Sequence, residues 1–319
     1  MKRALVFSTI LMMTLSLQAR VIFVKASNNG NGSSWSNAFD DLQQALKVAS
    51  YGDQIWVAVG KYLPTRTADR TVSFQIPDGV ALYGGFQGFE NDVDERNWRI
   101  NTTILSGEIG SNSLDDNSYT VVYTKGVSSA TIIDGFVITG GFANYMGTKS
   151  DVKRCGAGWY NDGSFGESNP TIRNCTFTKN YARDGAALYN FALNGVTNPT
   201  IQNCYFIANR ADLDGGAIYN DGNRGTCNPH IENCAFEKNE ATYGACIINV
   251  ADKGQTLPTI VNSNFIGNIS YIRGSSIYDT RSDSGICETT LQNCQFADNS
   301  SGVGKDTTSI ESSMEKKNR

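Results

Sequence analysis

Between Gly156 and Phe296 the chain repeats itself with a period of about 30 residues, and this period constrains its fold more than any other feature. Gly156, Gly185, Gly215, Gly244 and Gly274 are spaced by 29, 30, 29 and 30 residues. Phe177, Phe206, Phe236, Phe265 and Phe296 follow at 29, 30, 29 and 31. In the clearest copy, Gly215-Gly216-Ala217-Ile218-Tyr219-Asn220 precedes a polar loop and then Asn228-Pro229-His230-Ile231-Glu232-Asn233-Cys234-Ala235-Phe236. Self-similarity at this period marks a solenoid, because one unit cannot bury its apolar face until a neighbour stacks on it.

The pattern inside the unit selects the kind of solenoid. Ankyrin and tetratricopeptide units have similar lengths but need apolar residues at helical spacing, whereas these units are rich in Gly, Asn and short β-branched runs. Leucine-rich repeats need several Leu per unit, and these have almost none. A right-handed parallel β-helix fits: Ile231 and Phe236 face inward, and a bend at Asn233 turns Cys234 inward as well. Each repeat is then one rung, about 4.8 Å above the last. Val80 to Tyr83, Thr103 to Leu105, Thr120 to Tyr123 and Thr131 to Thr139 supply less regular earlier rungs. A length of 319 residues would allow two domains, but the shared period favours one all-β solenoid over residues 53–304.

The flanks read differently. Lys2 and Arg3 followed by the apolar run Ala4 to Leu17 give residues 1–19 the character of an export signal, too short for a spanning helix. Nothing later is long and apolar enough to span a membrane as a helix. Residues 20–52 hold a short strand at Val21 to Val24 and a helix capped by Asn37, with Phe39, Leu42, Ala45, Leu46 and Ala49 on one face and Gly52 as its stop. A lone amphipathic helix before a long β region is suited to covering the open end of that region. Residues 305–319 read as a polar, disordered tail.

Two motifs carry a resemblance. Gly215 to Ile218 with Phe206 to Asn209 resembles the Gly-Gly-Ala-Ile and Phe-x-x-Asn repeats of polymorphic outer-membrane proteins. Tyr83-Gly84-Gly85-Phe86, Arg96-Asn97-Trp98 and Thr103 to Gly107 are similar to the N-terminal region of exported β-helix proteins of the pectin-lyase-like fold, common in Bacteroidetes-type bacteria. The resemblance implies a parallel β-helix and an outer-membrane, cell-surface or extracellular location. It is weak for activity.

Cys175, Cys204, Cys234 and Cys294 share one repeat position, with Ser263 in the fifth copy, so they read as small core residues in preference to disulfides. Cys227 and Cys287 share a loop position two rungs apart, and Cys155 and Cys246 lie outside both series. Asn174, Asn203, Asn233, Asn262 and Asn293 form a structural ladder that adopts the bend conformation and bonds from rung to rung. His230, the only His, takes the place of Thr171, Thr200 and Thr259 and reads as an exposed variant.

The functional candidate is an aromatic stripe. With Ile218 inward, alternation turns Ala217 and Tyr219 outward, so Tyr160, Tyr189, Tyr219 and Tyr278 line one face, interrupted by Ile248. Exposed rings in a row can dock sugar rings; they can also serve only to stabilise the sheet across rungs. Asp184 and Asp214 precede the glycines on adjacent rungs, near Arg154, Arg183 and Arg273. They are candidates for glycan contact, for Ca²⁺ or for acid and base, set against a solvated edge of mixed charge; two rungs supply too few ligands to support Ca²⁺. A net charge of −4 and a pI near 5.2 argue against a nucleic-acid partner. No rung carries an isolated cluster of catalytic residue types, which disfavours a polysaccharide lyase or hydrolase. Loops of differing length, such as Asp221 to Gly225 and Ala251 to Gln255, disfavour a plain spacer. The expectation is a non-catalytic secreted or surface protein that binds a polysaccharide or a host or cell-surface glycan, with no catalytic residue, metal or cofactor.

Overall fold

The structure is a computed structural model that describes residues 19–111, 113–282, 284–302, 304–305 and 310–314. The export signal read over residues 1–19 lies, but for Ala19, outside the described residues.

One turn of the coil shows how the repeat folds. Ile218–Asp221, Thr226–Cys227, His230–Glu232, Ala235–Glu237 and Glu240–Tyr243 are successive strands of one rung, and Ile247–Ala251 begins the next. Stacking such rungs builds five sheets among the described residues. A nine-stranded sheet runs from Val21–Val24 to Thr290–Gln292, and an eight-stranded one from Gly60–Tyr62 to Gln295–Ala297. Every pairing in these two is parallel, so the chain is an all-β parallel β-helix, and right-handed winding is the rule for such crossovers.

Register explains the repeat. Phe177, Phe206, Phe236, Phe265 and Phe296 pair in line, and their rings stack face to face at 4.9, 4.8, 4.7 and 4.7 Å. They fill the core with Ile172, Ile201, Ile231 and Ile260 and with buried Cys175, Cys204 and Cys234. The thiols donate to the carbonyls of Arg173, Gln202 and Glu232 at 3.2 to 3.3 Å. All eight cysteines are free, Cys155, Cys227, Cys246 and Cys287 included. Cys227 and Cys287 are separated by the Thr256 rung.

Asparagine plays two parts. Asn174, Asn203, Asn233, Asn262 and Asn293 all adopt φ between +50° and +55°, the left-handed bend that Asn tolerates. The continuous amide ladders lie elsewhere. In Phe-x-x-Asn, the Asn209 amide donates to the Phe177 carbonyl at 2.9 Å and to Asn239 Oδ1 at 3.1 Å, a pattern extending from Asn180 to Asn299. A second ladder runs inside the coil through Asn161, Asn190, Asn220 and Asn249 to Asp279. The ladder expected at the bends is thinner: Asn293 bonds to Asn262 at 3.3 Å, while Asn174 reaches Asp134 instead.

The ends depart from expectation in detail. The helix spans Leu42–Val48 and is capped by Asp41, whose side chain accepts from the Gln43 amide; Asn37 belongs instead to a 3-10 turn and bonds to Asn31 and Ser33. Ala49 ends it before Gly52 is reached. Leu42, Ala45 and Leu46 seal the N-terminal end of the core beside Ile22, Val24 and Phe74. At the other end, Ile310–Met314, expected to be disordered, forms a strand that pairs in parallel with Ile277–Arg281 and so continues an existing sheet. Among the described residues no helix is long and apolar enough to cross a membrane.

Candidate functional site

The aromatic series lies on an eight-stranded sheet that includes Val122–Lys125, Trp159–Asp162, Leu188–Phe191, Ile218–Asp221, Ile247–Ala251 and Ile277–Arg281. Trp159, Leu188, Ile218, Ile247 and Ile277 enter the core, and the next residue of each strand lies in a separate cluster of Tyr160, Tyr189, Tyr219, Ile248 and Tyr278. The Tyr160, Tyr189 and Tyr219 rings stack at 5.3 and 4.8 Å. The stripe exists, but it is not exposed: Tyr160, Tyr189, Tyr219 and Tyr278 are only 3, 0, 0 and 8% accessible. Ala217 also departs from expectation and packs in the core, because it sits in the bend before its strand, where alternation does not hold.

An insertion covers the rings. Phe142–Ala143 pairs with Tyr181–Ala182, and Trp159 pairs with Leu188. Six positions separate Ala182 from Leu188, but sixteen separate Ala143 from Trp159, so residues 144–153 are extra to the rung. They fold across the next three rungs as a strap. The Tyr160 hydroxyl donates to the Ser150 carbonyl at 2.8 Å, Ser150 Oγ lies 3.0 Å from the Tyr189 hydroxyl, and the Lys149 ammonium lies 5.7 Å from the Tyr219 ring centre. Ser150 adopts φ +69°, unusual for a residue with a side chain.

Beside the strap is a cleft of about 380 Å³. Phe191 and Val250 give it apolar walls; Lys149, Asp221, Asp252 and Arg281 give it charge. The Tyr219 hydroxyl, Asn223 Oδ1 and Asp252 Oδ1 are buried there without a hydrogen-bond partner. Burial raises the Asp221 carboxyl above its ordinary range, against the opposing effect of a 2.6 Å hydrogen bond from Tyr189 and of nearby Lys149. On the other side of Ser150 a second cleft of about 450 Å³ holds Tyr123, Tyr160, Asp162 and Phe191. Burial also works against the Asp162 carboxylate, but bonds from Ser164, Lys125 and Tyr123 outweigh it and hold that group below the usual range.

Asp184 is not on a solvated edge. It is fully buried, and Oδ2 accepts from Arg154 Nε at 2.7 Å, which anchors the base of the strap. Asp214 occupies the same register one rung along and is half-buried, while Arg183 pairs with Asp212 at 3.6 Å. Among the described residues no group of three or more His, Cys, Asp or Glu is placed to hold a metal ion. His230 is half-exposed on the nine-stranded sheet, 3.8 Å from Glu232, and lines neither cleft.

With this geometry in hand, comparison with known proteins places the sequence. Proteins of unknown function grouped as DUF1565 match residues 24–273. The chain belongs to the DUF1565 family. In this DUF1565 chain the match takes in the strap, the 450 Å³ cleft and most of the regular rungs, and it stops before Thr280 and Arg281 of the 380 Å³ cleft. Comparison with curated proteins gave no match. Among solved structures it is similar to pectate lyase Pel9A, at 14% identity and a TM-score of 0.47, covering 92% of this chain and 80% of that one. A rhamnogalacturonan lyase is similar at 10% identity and a TM-score of 0.42, covering 84% of this chain and 75% of that one. The fold assignment rests on the strand pairing described above.

Sequence reading missed Lys149, Ser150, Phe191, Asp221 and Arg281. One signal was available: Phe142 precedes its register partner Tyr181 by 39 residues, where later rungs advance by 29 to 31. The excess marks the insertion.

Proposed function

We propose that this chain is a non-catalytic, exported β-helix protein of the adhesin or glycan-binding kind, and that it holds a polysaccharide or a cell-surface glycan in the cleft beside the strap. The observation that carries this reading is the lining of that cleft: a Phe191 ring and the Val250 side chain beside Lys149, Arg281 and three buried polar groups that lack partners. Sugars present apolar C–H faces and a rim of hydroxyls, and such a lining offers both an apolar wall and convergent donors and acceptors. The basic, apolar N-terminus of the sequence supports export.

A polysaccharide array probed with wild type and a Phe191→Ala/Arg281→Gln variant tests it. Wild type is expected to be retained on a subset of glycans, and the variant to lose about tenfold or more in apparent affinity. Equal retention of both would discard the cleft as the site.

One observation favours a second reading, hydrolysis. Asp162 and Asp221 occupy the same strand position two rungs apart, about 9.6 Å, with their pKa values pushed in opposite directions. That figure is the spacing of the two backbones; in inverting glycosidases the carboxyl groups of the acid and the base flank a water at roughly 6.5 to 9.5 Å. Release of new reducing ends from a retained polysaccharide, abolished in Asp221→Asn, would establish it; retention without cleavage leaves the binding reading in place.

A further inference from the structure

We propose that residues 144–153 are a lid, and that opening it bares Tyr160, Tyr189 and Tyr219 as a sugar-stacking platform joining the two clefts. This inference rests on the glycan-binding reading and deepens it by naming the surface on which the sugar rings lie.

Four observations lead to it. First, the strap is an insertion into an otherwise regular rung. With residues 144–153 removed, Ala143-Arg154-Cys155-Gly156-Ala157-Gly158-Trp159 matches Ala182-Arg183-Asp184-Gly185-Ala186-Ala187-Leu188 position for position, so the coil does not need the segment to close. Second, no residue from Asn144 to Lys153 is buried. The strap is held by polar contacts: Tyr160 and Tyr189 on Ser150, Thr120 Oγ1 on the Val152 carbonyl, and Arg154 Nη1 on the Gly147 carbonyl. A segment without apolar anchorage opens at low cost relative to the body it covers.

Third, the residues beneath it suit a ligand better than a sealed core. At the register of Tyr219 the following rung carries Ile248, which fills the space with no hydroxyl. Tyr219 instead buries a hydroxyl that has no partner and borders the cleft. Fourth, Ser150 borders both clefts, so lifting it merges them along the three stacked rings. The buried Arg154 to Asp184 pair remains as the fixed base, and the turn in which Arg154 and Cys155 N–H groups donate to the Asp151 carbonyl is the hinge that joins the lid to it. Gly147 and the left-handed Ser150 lie in the part that moves.

The test pairs tyrosine nitration by tetranitromethane, read by peptide mass spectrometry, with the polysaccharide array. Three proteins are compared: wild type, a deletion of residues 144–153, and Ser150→Ala, which removes the Oγ latch and keeps the backbone. In the deletion, nitration of Tyr189 and Tyr219 is expected to rise by about tenfold or more, with tighter retention on the same glycans, because the competent state no longer has to be reached by opening. Ser150→Ala should shift both readouts the same way by a smaller factor, which keeps the test decisive where the deletion fails to fold. Slow nitration and unchanged retention in a folded deletion and in Ser150→Ala overturn the lid. Faster nitration without tighter retention shows that the strap opens but overturns the platform. No retention of any of the three on any glycan instead refutes the glycan-binding reading itself, while nitration still reports on the strap.

Discussion

The Tyr189 hydroxyl donates a 2.6 Å hydrogen bond to Asp221 Oδ2 on the next rung, and both side chains are buried beneath the strap. The bond favours the charged carboxylate, yet burial dominates and Asp221 is pushed above the usual range. Also near it are Lys149 and Ser150 of the strap, Tyr219 on its own strand, Tyr160, the buried Cys155 and Cys227 thiols and the Asn223 amide. The folded state therefore holds this proton at pH values where the unfolded chain has lost it, and stability falls as pH rises from the unfolded carboxylate value through the raised one, then levels off. Replacing Asp221 by Asn should remove that decline, whose slope for one proton does not exceed about 1.4 kcal/mol per pH unit. Urea melts of wild type and variant across pH 4 to 8 (approximate bounds set by the usual carboxylate and His range) check it; parallel curves would show that Asp221 is ionised throughout.

Phe236 is fully buried between Phe206 and Phe265, with ring centres 4.8 and 4.7 Å away. The rung spacing imposes this face-to-face stack, and neighbouring backbones are locked by the ladder, so the site cannot collapse around a missing ring. Phe236→Ala is expected to cost about 3–5 kcal/mol in a urea melt. Phe296, half-buried in the last rung of the stack, has a face without a ring partner among the described residues, and its replacement by Ala should cost less.

Asn239 closes a loop of bonds that no aliphatic residue can replace. Its amide donates to the Phe206 carbonyl at 2.8 Å and to Asn268, and its Oδ1 accepts from the backbone and side chain of Asn209. Asn239→Leu keeps the volume and strands these partners in a dry core. The loss should be at least about 2 kcal/mol, since each buried unsatisfied group costs roughly 1–3 kcal/mol. A thermal melt of the variant decides; a change within the error of the measurement would mean that water enters the ladder.

What could be read from the residues depended on whether the information was periodic. The Phe and Gly series repeat, so the inward positions of Ile231, Cys234 and Phe236 were legible, as were the bends at Asn233 and its equivalents. Alternation also placed Tyr160, Tyr189 and Tyr219 on one outward face, correctly with respect to the coil. Alternation carries no information about what lies over an outward residue. The strap that buries these rings comes from an earlier rung, has no apolar pattern and acts through backbone groups such as the Ser150 carbonyl, so nothing near Tyr219 in sequence announces it. The Phe-x-x-Asn motif was visible for the same reason as the Phe series, but the bonding role of its Asn appears only when rungs are stacked.

Asp184 and Arg154 form a pair whose removal must be tested one partner at a time. Asp184 is fully buried; Oδ2 accepts from Arg154 Nε at 2.7 Å and Oδ1 has no partner, so the guanidinium is the principal compensation for the carboxylate. Arg154→Met fills similar space but leaves that charge alone in the protein interior, at an expected cost of about 3–5 kcal/mol. Adding Asp184→Asn removes the charge and should restore much of the loss, so the double variant is expected to be more stable than Arg154→Met alone. The same pair fixes the base of the strap, and Arg154→Met should also speed amide hydrogen exchange between residues 144 and 153. A double-mutant cycle in urea, with exchange measured on each protein, separates the two effects. Additive losses with unchanged exchange would show that the pair neither compensates a buried charge nor holds the strap.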